Sequence, residues 1–282
     1  MQNLIDDKYR KELPPFDIND FGGLQENEQL VGDMIYCTVC SGKKLYVNEE
    51  FGIRVRCKCA CEQEKQRKEE QAKQVDMLKK SSLLGKRYWD ATFENTETGH
   101  NETFDLAYKR CKAYISDLDE VLRKGYGLYI YGDKGTGKTH LTACMTNEMI
   151  SQLYKVLVTN FFEITKEIKK TYNSSTTDNE SRLIENIANI DFLIIDDIGT
   201  ETLTKNGENT WIQEKIYDVL NKRYNAQKPT IFTSNYSLRE LVEDRGMMDK
   251  TVDRIMEMST AIIKVEGQSY RKEMRKKNIT LF

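Results

Sequence analysis

The 282-residue sequence has no run of about 18 apolar residues, the length a helix needs to cross a bilayer, so no membrane span or membrane partner is expected. Its N-terminus, MQNLIDDKYRKEL, has no apolar segment of the kind that marks a secretory signal. These two absences predict a cytoplasmic protein. In that reducing compartment the seven cysteines point to metal binding or simple burial rather than to disulfides. No internal repeat is present. An excess of either sign is lacking as well: 43 bases nearly balance 45 acids, and the net charge of −2 is too small to argue for or against a nucleic-acid partner. Its distribution is uneven. Residues 1–36 carry eight acids and three bases, residues 37–94 thirteen bases and nine acids, and residues 271–277 five bases and one acid.

What is present suits a water-facing globular protein, with 31% charged and 39% apolar residues and enough chain for one large domain and one small one. The most informative stretch is YGLYIYGDKGTGKTH, residues 126–140. Leu128–Tyr131 reads as a strand, and a helical run follows from His140 to about Ile150. Between them Gly132–Thr139 matches G-x-x-x-x-G-K-[ST], in the strand–turn–helix context that a phosphate-binding loop needs. Gly132, Gly135 and Gly137 allow a tight turn whose N–H groups, Thr136 among them, converge on one anion, and the helix N-terminus adds positive potential. Lys138 can reach the β- and γ-phosphates, and the Thr139 hydroxyl can bind Mg²⁺.

Downstream the pattern alternates strand and helix. Tyr154–Thr159 reads as a strand, Asn160–Lys170 as a helix, residues 171–180 as a polar loop and Ser181–Asn189 as a helix. Phe192–Asp197 is an apolar run ending in two carboxylates, as expected of a central parallel strand buried on both faces. Ligands bind at that end of an open α/β sheet, so Asp196 is the candidate Mg²⁺ partner and Asp197 the group that orients or deprotonates water. A helix over Asn209–Asn225 and a strand over Pro229–Thr233 lead to Asn235. If this strand neighbours the other two, Asn235 lies beside the γ-phosphate. Two short helices, Leu238–Glu243 and Asp249–Met258, then a strand, Thr260–Glu266, and a basic helix, Gln268–Lys277, complete the chain.

Upstream, the cysteines read Cys37-x2-Cys40-x16-Cys57-x-Cys59-x-Cys61. A close pair followed by a second close pair suits a structural S4 zinc site, and the intervening KKLYVNEEFGIRVR reads as a β-hairpin that would bring the pairs together as in a zinc ribbon. Five thiols compete for four places; Cys37, Cys40, Cys57 and Cys59 are the preferred set, with Cys61 spare. Residues 1–36 contain Leu4, Ile5, Leu13, Phe16, Ile18, Phe21 and Leu24, and read either as a small helical docking element or as a leader without fixed structure. Residues 62–84 are a charged helical stretch with i,i+4 pairs such as Glu64–Lys68. Trp89 and Phe93 read as core, with closure of the nucleotide site as their other role. A helical face over Thr103–Arg123 includes Cys111; Cys144 lies in the helix after the phosphate loop, and both cysteines read as buried.

The set GDKGTGKTHL, FLIIDDIG, PTIFTSN, DRIME and GQSYR, behind the cysteine segment, resembles the bacterial and phage helicase loaders of the DnaC/DnaI type within the AAA+ superfamily. IstB-type transposition ATPases are close relatives that share the same motifs. The resemblance implies an α/β fold with a parallel sheet in AAA+ order. It divides the chain into an N-terminal zinc-bearing docking module over 1–61, a linker helix over 62–85 and an ATPase domain over 86–282. It implies ATP or ADP bound through Gly132, Gly135, Thr136, Gly137, Lys138, Thr139 and His140, with Mg²⁺ at Thr139 and Asp196. Hydrolysis would involve Asp197 and Asn235, Arg254 as a finger reaching the next subunit's γ-phosphate, and Arg271 acting on nucleotide in its own subunit. Self-association through the ATP sites, a DnaB-type replicative helicase and single-stranded DNA are the implied partners. Phe161, Phe162 and Lys166 are the DNA-contact candidates. Asp197 stands where many AAA+ enzymes have Glu, which suggests slow, switch-like hydrolysis.

Overall fold

The computed structural model describes residues 16–48, 53–172, 178–200 and 207–270. The chain divides into two compact units, Met1–Gln74 and Val75–Phe282. The division falls inside helix α1, Ala60–Ser81, and not at either end of the expected linker over 62–85. The reason is local: Val75 and Leu78, in the last turns of α1, pack on the core of the larger unit, as does Leu84 beyond it.

In the smaller unit a short 3₁₀ turn, Ile18–Phe21, is capped by the Asp17 carboxylate, which accepts from the Asn19 N–H. Two antiparallel hairpins follow, β1 (Glu28–Val31) with β2 (Met34–Cys37), and β3 (Leu45–Asn48) with β4 (Ile53–Arg56). The second is the expected hairpin; its tip lies outside the described residues. The first modifies the reading of residues 1–36: from Phe16 onward the helical part is limited to the four-residue 3₁₀ turn, and a hairpin follows it. Leu4, Ile5 and Leu13 fall outside the described residues. The hairpins are tied by buried charge. Glu28, with no exposed side-chain surface, takes the Lys44 ammonium at 2.6 Å and also pairs with Arg56; Lys44 reaches Glu62 at 2.7 Å. The Glu62 carboxylate in turn accepts from the Cys59 N–H at 3.2 Å, at the start of α1.

The larger unit is a five-stranded parallel sheet, β5 (Gly127–Gly132), β6 (Val156–Thr159), β7 (Phe192–Ile198), β8 (Thr230–Ser234) and β9 (Ser259–Val265), in the order β6-β7-β8-β5-β9. Helices cover both faces. Alternate residues of each central strand feed two cores: Leu128, Ile130, Phe192, Ile194 and Ile231 face one, and Tyr129, Leu193, Ile195 and Phe232 the other. This period of two explains why β7 is apolar on both faces from Phe192 to Ile195. The first core is closed by α2 (Glu102–Tyr114), α3 (Leu118–Lys124) and α4 (Lys138–Ser151), and includes Cys111, Cys144 and Phe93, all buried, with Trp89 packed against it. The second is closed by α5 (Phe161–Thr171), α6 (Asp178–Asn189), α7 (Gly207–Asn225), α8 (Leu238–Glu243) and α9 (Asp249–Met258). The single helix expected over 103–123 is two, because Ile115–Asp117 tightens to 3₁₀ and the Asp117 side chain restarts the helix by accepting from the Glu120 N–H. The polar loop at 171–180 ends in α6, and the basic helix expected over 268–277 lies outside the described residues beyond Tyr270.

Candidate nucleotide site and cysteine cluster

Three neighbouring strand ends converge on one cleft. The loop after β5 turns on Gly132, Gly135 and Gly137, with φ of 140°, 84° and 99°. At Gly135 a β-carbon would stand 2.1 Å from the Ser269 hydroxyl, and at Gly137 one would stand 2.6 Å from the Phe104 ring, so the tight approach of neighbouring chain also requires glycine. Helix α4 begins on Gly137 with no side-chain cap, which leaves its first N–H groups for a ligand. Lys138 is buried; its ammonium donates to the Gly132 and Asp133 carbonyls, both at 2.8 Å, and to Asn235 Oδ1 at 3.0 Å. The Thr139 hydroxyl lies 3.2 and 3.3 Å from the two Asp196 oxygens. Asn235 Nδ2 donates to Asp197 at 2.7 Å.

The expected residues therefore meet: Lys138, Thr139, Asp196, Asp197 and Asn235 all line a cleft of about 980 Å³, together with Gly135, Thr136, Gly137 and His140. Adjacent aspartates on a flat strand would point to opposite faces. Here the β7–β8 register shifts between Ile195 and Ile198, and Asp197 takes a left-handed φ of 60°, so both carboxylates reach the same cleft. Thr233, which the sequence reading passed over, fixes this bend. Its hydroxyl donates to Asp196 and accepts from the Asp197 N–H at 2.8 Å. The far wall was likewise unread: Arg87, Tyr88, Asn95, Thr96, Phe104 and Tyr270 line it. Thr96 Oγ1 lies 2.8 Å from His140 Nε2, and burial lowers the pKa of that histidine, which favours the neutral ring. The signal for these residues is spread over separate stretches that only the fold joins. Burial, and then the charge of Asp196, push the Asp197 carboxyl up; Lys138, Lys134 and Asn235 offset this in part.

Two expected residues are elsewhere. Arg254 lies on α9 outside the cleft, paired with Glu257 at 2.6 Å and stacked on the Tyr224 ring. Arg271 falls outside the described residues. Of the DNA-contact candidates, Phe161 is buried in the second core and is corrected to a structural residue, whereas Phe162 is exposed with the Lys166 ammonium 5.9 Å from its ring centre.

In the smaller unit the sulfurs of Cys37, Cys40, Cys59 and Cys61 lie within 4.8 Å of one another. Cys57 is not among them: its thiol turns to the Lys43 carbonyl, while its N–H donates to Lys44. This corrects the preferred set. Cys57 still belongs to the extended chain after β4, whereas Cys59 and Cys61 straddle the start of α1, where the chain turns inward. The Cys61 and Gly42 N–H groups pull the Cys40 thiol down to about 6, and those of Cys40 and Val39 lower Cys37. A tetrahedral zinc site with Zn–S of about 2.3 Å needs sulfurs about 3.8 Å apart, so these four fit Zn²⁺.

A lysine-bearing loop, two strand-end carboxylates and a strand-end asparagine between them, on this strand order, define a P-loop nucleotide-binding domain of the AAA+ class. Residues 49–278 match the family described as IstB-like ATP binding protein, and the chain belongs to that family. Among its relatives are the replicative helicase loader DnaI of Bacillus subtilis (strain 168), 27% identical over 216 residues, and the replicative helicase loader DnaC of Escherichia coli (strain K12), 26% identical over 166 residues. These matches take in 73% and 58% of this chain but 66% and 63% of the relatives, so the chain spans just under two thirds of their length. The crystal structure of the DnaC helicase loader aligns over 64% of this chain and 99% of that one, with a TM-score of 0.54 at 23% identity. The AMPPCP-bound DnaA of Aquifex aeolicus aligns over 70% of this chain and 56% of its own, with a TM-score of 0.53 at 24% identity. At those identities the likeness is one of fold.

Proposed function

We propose that this chain is an ATP-controlled helicase loader, which grips a replicative hexameric helicase of the DnaB type and promotes its placement on single-stranded DNA. The observation that carries the reading is Asn235, which holds Lys138 with its carbonyl oxygen and Asp197 with its amide nitrogen. One side chain thus links the phosphate-binding group to the carboxylate that would activate water. Lys138 exchanges its loop carbonyls for β- and γ-phosphate oxygens when nucleotide enters. Thr139 and Asp196 would hold Mg²⁺, whose charge would neutralise the phosphates. Asp197 accepts the proton of the attacking water, and Asn235 orients that water. Arg254 acts in trans on the γ-phosphate of a neighbouring copy, which its place outside its own cleft supports. Hydrolysis is slow and partner-stimulated, and serves as a timer for release.

The smaller unit is the helicase-docking part, with zinc at Cys37, Cys40, Cys59 and Cys61 as its scaffold; Phe162 and Lys166 contribute to the single-stranded DNA contact. Lys138→Ala is expected to abolish binding of a fluorescent ATP analogue and ATP-dependent capture of a DnaB-type helicase. Capture of helicase by wild type that is indifferent to both ATP and Lys138→Ala would falsify the switch. The resemblance to IstB-type transposition ATPases, within the IstB-like family, gives one other reading, an ATPase of DNA transposition. Filaments on duplex DNA without helicase capture would select it. A third role, a nucleotide-gated adaptor without turnover, predicts no phosphate release even with helicase and single-stranded DNA present.

A further inference from the structure

Helices α7 and α9 are joined by two matched cation–aromatic contacts. Lys250 Nζ lies 4.7 Å from the centre of the Tyr217 ring, and Arg254 Cζ lies 3.9 Å from that of Tyr224. Two turns of α7 separate the tyrosines and one turn of α9 separates the cations, so both pairs share one face of each helix. Tyr217 also hydrogen-bonds Arg254, and this contact, ahead of the charge of Glu257, raises the guanidinium's affinity for its proton.

The surroundings of Arg254 are not those of an arginine that serves packing. Arg223 in the same domain is fully buried, and its Nε, Nη1 and Nη2 all donate to buried oxygens. Arg254 Nε, by contrast, is buried with no hydrogen-bond partner. Its Nη1 goes to Glu257, a carboxylate 53% exposed and three residues further along the same helix. A pair whose carboxylate stands in water is weak and exchanges readily. Tyr224, the ring beneath the guanidinium, is itself 40% exposed, so apolar surface reaches solvent at the same place. The aromatic side holds the guanidinium firmly and the acidic side holds it loosely.

We propose that Tyr224 and Tyr217 are positioning residues, which hold the Arg254 guanidinium at the surface of α9 so that the γ-phosphate of ATP in a second copy of this chain displaces Glu257 as its acceptor. The inference rests on the trans role of Arg254 and adds what orients it. Rings that fix the side chain beforehand spare its rotamer entropy at the moment of assembly, the same economy that pre-organised sites use elsewhere.

The test is steady-state ATP hydrolysis by the full chain, at concentrations where turnover per chain no longer rises. Tyr224→Leu is expected to lower kcat about fivefold with the KM for ATP unchanged, and Tyr224→Phe, which keeps the ring, to restore it to within about twofold of wild type. Adding Lys138→Ala chains, which keep a well-held Arg254 but no working site, is expected to rescue Tyr224→Leu; damage confined to folding would not be repaired in trans. Glu257→Gln is an exposed change that does not threaten the fold, and is expected to raise turnover about twofold. No rescue, equal loss in Tyr224→Phe, or unchanged or lower turnover in Glu257→Gln overturns the proposal. If Arg254→Ala hydrolyses as fast as wild type, the trans role itself is wrong and the proposal falls with it. If Arg254→Ala is slow while Tyr224→Leu is not, the trans role stands and the positioning role fails.

Discussion

Asp197 combines a left-handed backbone, φ 60°, with a carboxyl group beside a second carboxylate. Asp tolerates that conformation because its short side chain avoids the crowding a longer one meets. Burial and the neighbouring Asp196 raise its pKa above the ordinary 3.8. For an acid raised in the folded state, the folded protein holds the proton more tightly than the unfolded chain. The stability cost of ionisation is therefore absent below the unfolded pKa and fully present above the folded one. Hydrolysis needs the carboxylate, so its acid limb should lie above pH 3.8. Asp197→Asn is expected to cut kcat about 100-fold or more, to abolish that limb, and to raise the melting temperature at neutral pH rather than lower it. A pH–rate profile with parallel melting curves checks all three; retained turnover would move the base elsewhere. The motif led straight to Asp197, but not to Thr233, which holds the bend, since threonine inside a strand carries no distinctive signal.

Two elements show how local order and tertiary contact share the work. The thiols at the start of α1 complete the cysteine cluster, and Cys57 does not join it. Cys61→Ser is expected to lower bound zinc to well under one ion per chain and to unfold the smaller unit, whereas Cys57→Ser keeps about one; metal analysis and circular dichroism decide it. The C-terminal end of α6 depends on a residue from α7. Arg223 donates to the carbonyls of Ile187, Ala188 and Ile190 at 2.8–3.1 Å, and so places its positive charge where the helix dipole is negative. It also binds the Pro229 carbonyl and, at 2.9 Å, the Thr230 hydroxyl, anchoring the start of β8. Arg223→Met leaves these acceptors dry and unpaired, and is expected to cost about 3–5 kcal/mol in denaturant unfolding without loss of ATP affinity at low temperature. Nothing in its setting, NKRYN, set Arg223 apart from the exposed Lys222 beside it, because periodicity reports which face is apolar and not which cation is buried.

At the level of the whole chain, the division after Gln74 predicts that residues 75–282 fold alone and bind ATP within about twofold of the full protein while losing helicase capture. Loss of nucleotide binding in that fragment would show that the two units are not independent. Most of the larger unit could be anticipated from the order of residues: five strands alternating with helices, a glycine-rich turn after the first, and polar side chains at the ends of three. These features are local and periodic, so a linear string records them. Less could be read in the smaller unit, where short strands such as Glu28–Val31 carry only four residues each and mixed polarity. Their pairing is held by Glu28, Lys44 and Arg56, charges that normally mark a surface and here are covered. Residue types and spacing were thus enough for the phosphate loop, its carboxylates and a cluster of thiols that could hold a metal, since each is chemistry confined to one short segment. Which four thiols meet, how two consecutive aspartates enter one cleft, and which tyrosines stand beneath Arg254 depend on contacts between segments distant in the chain, and those arise only when the sheet and its helices pack.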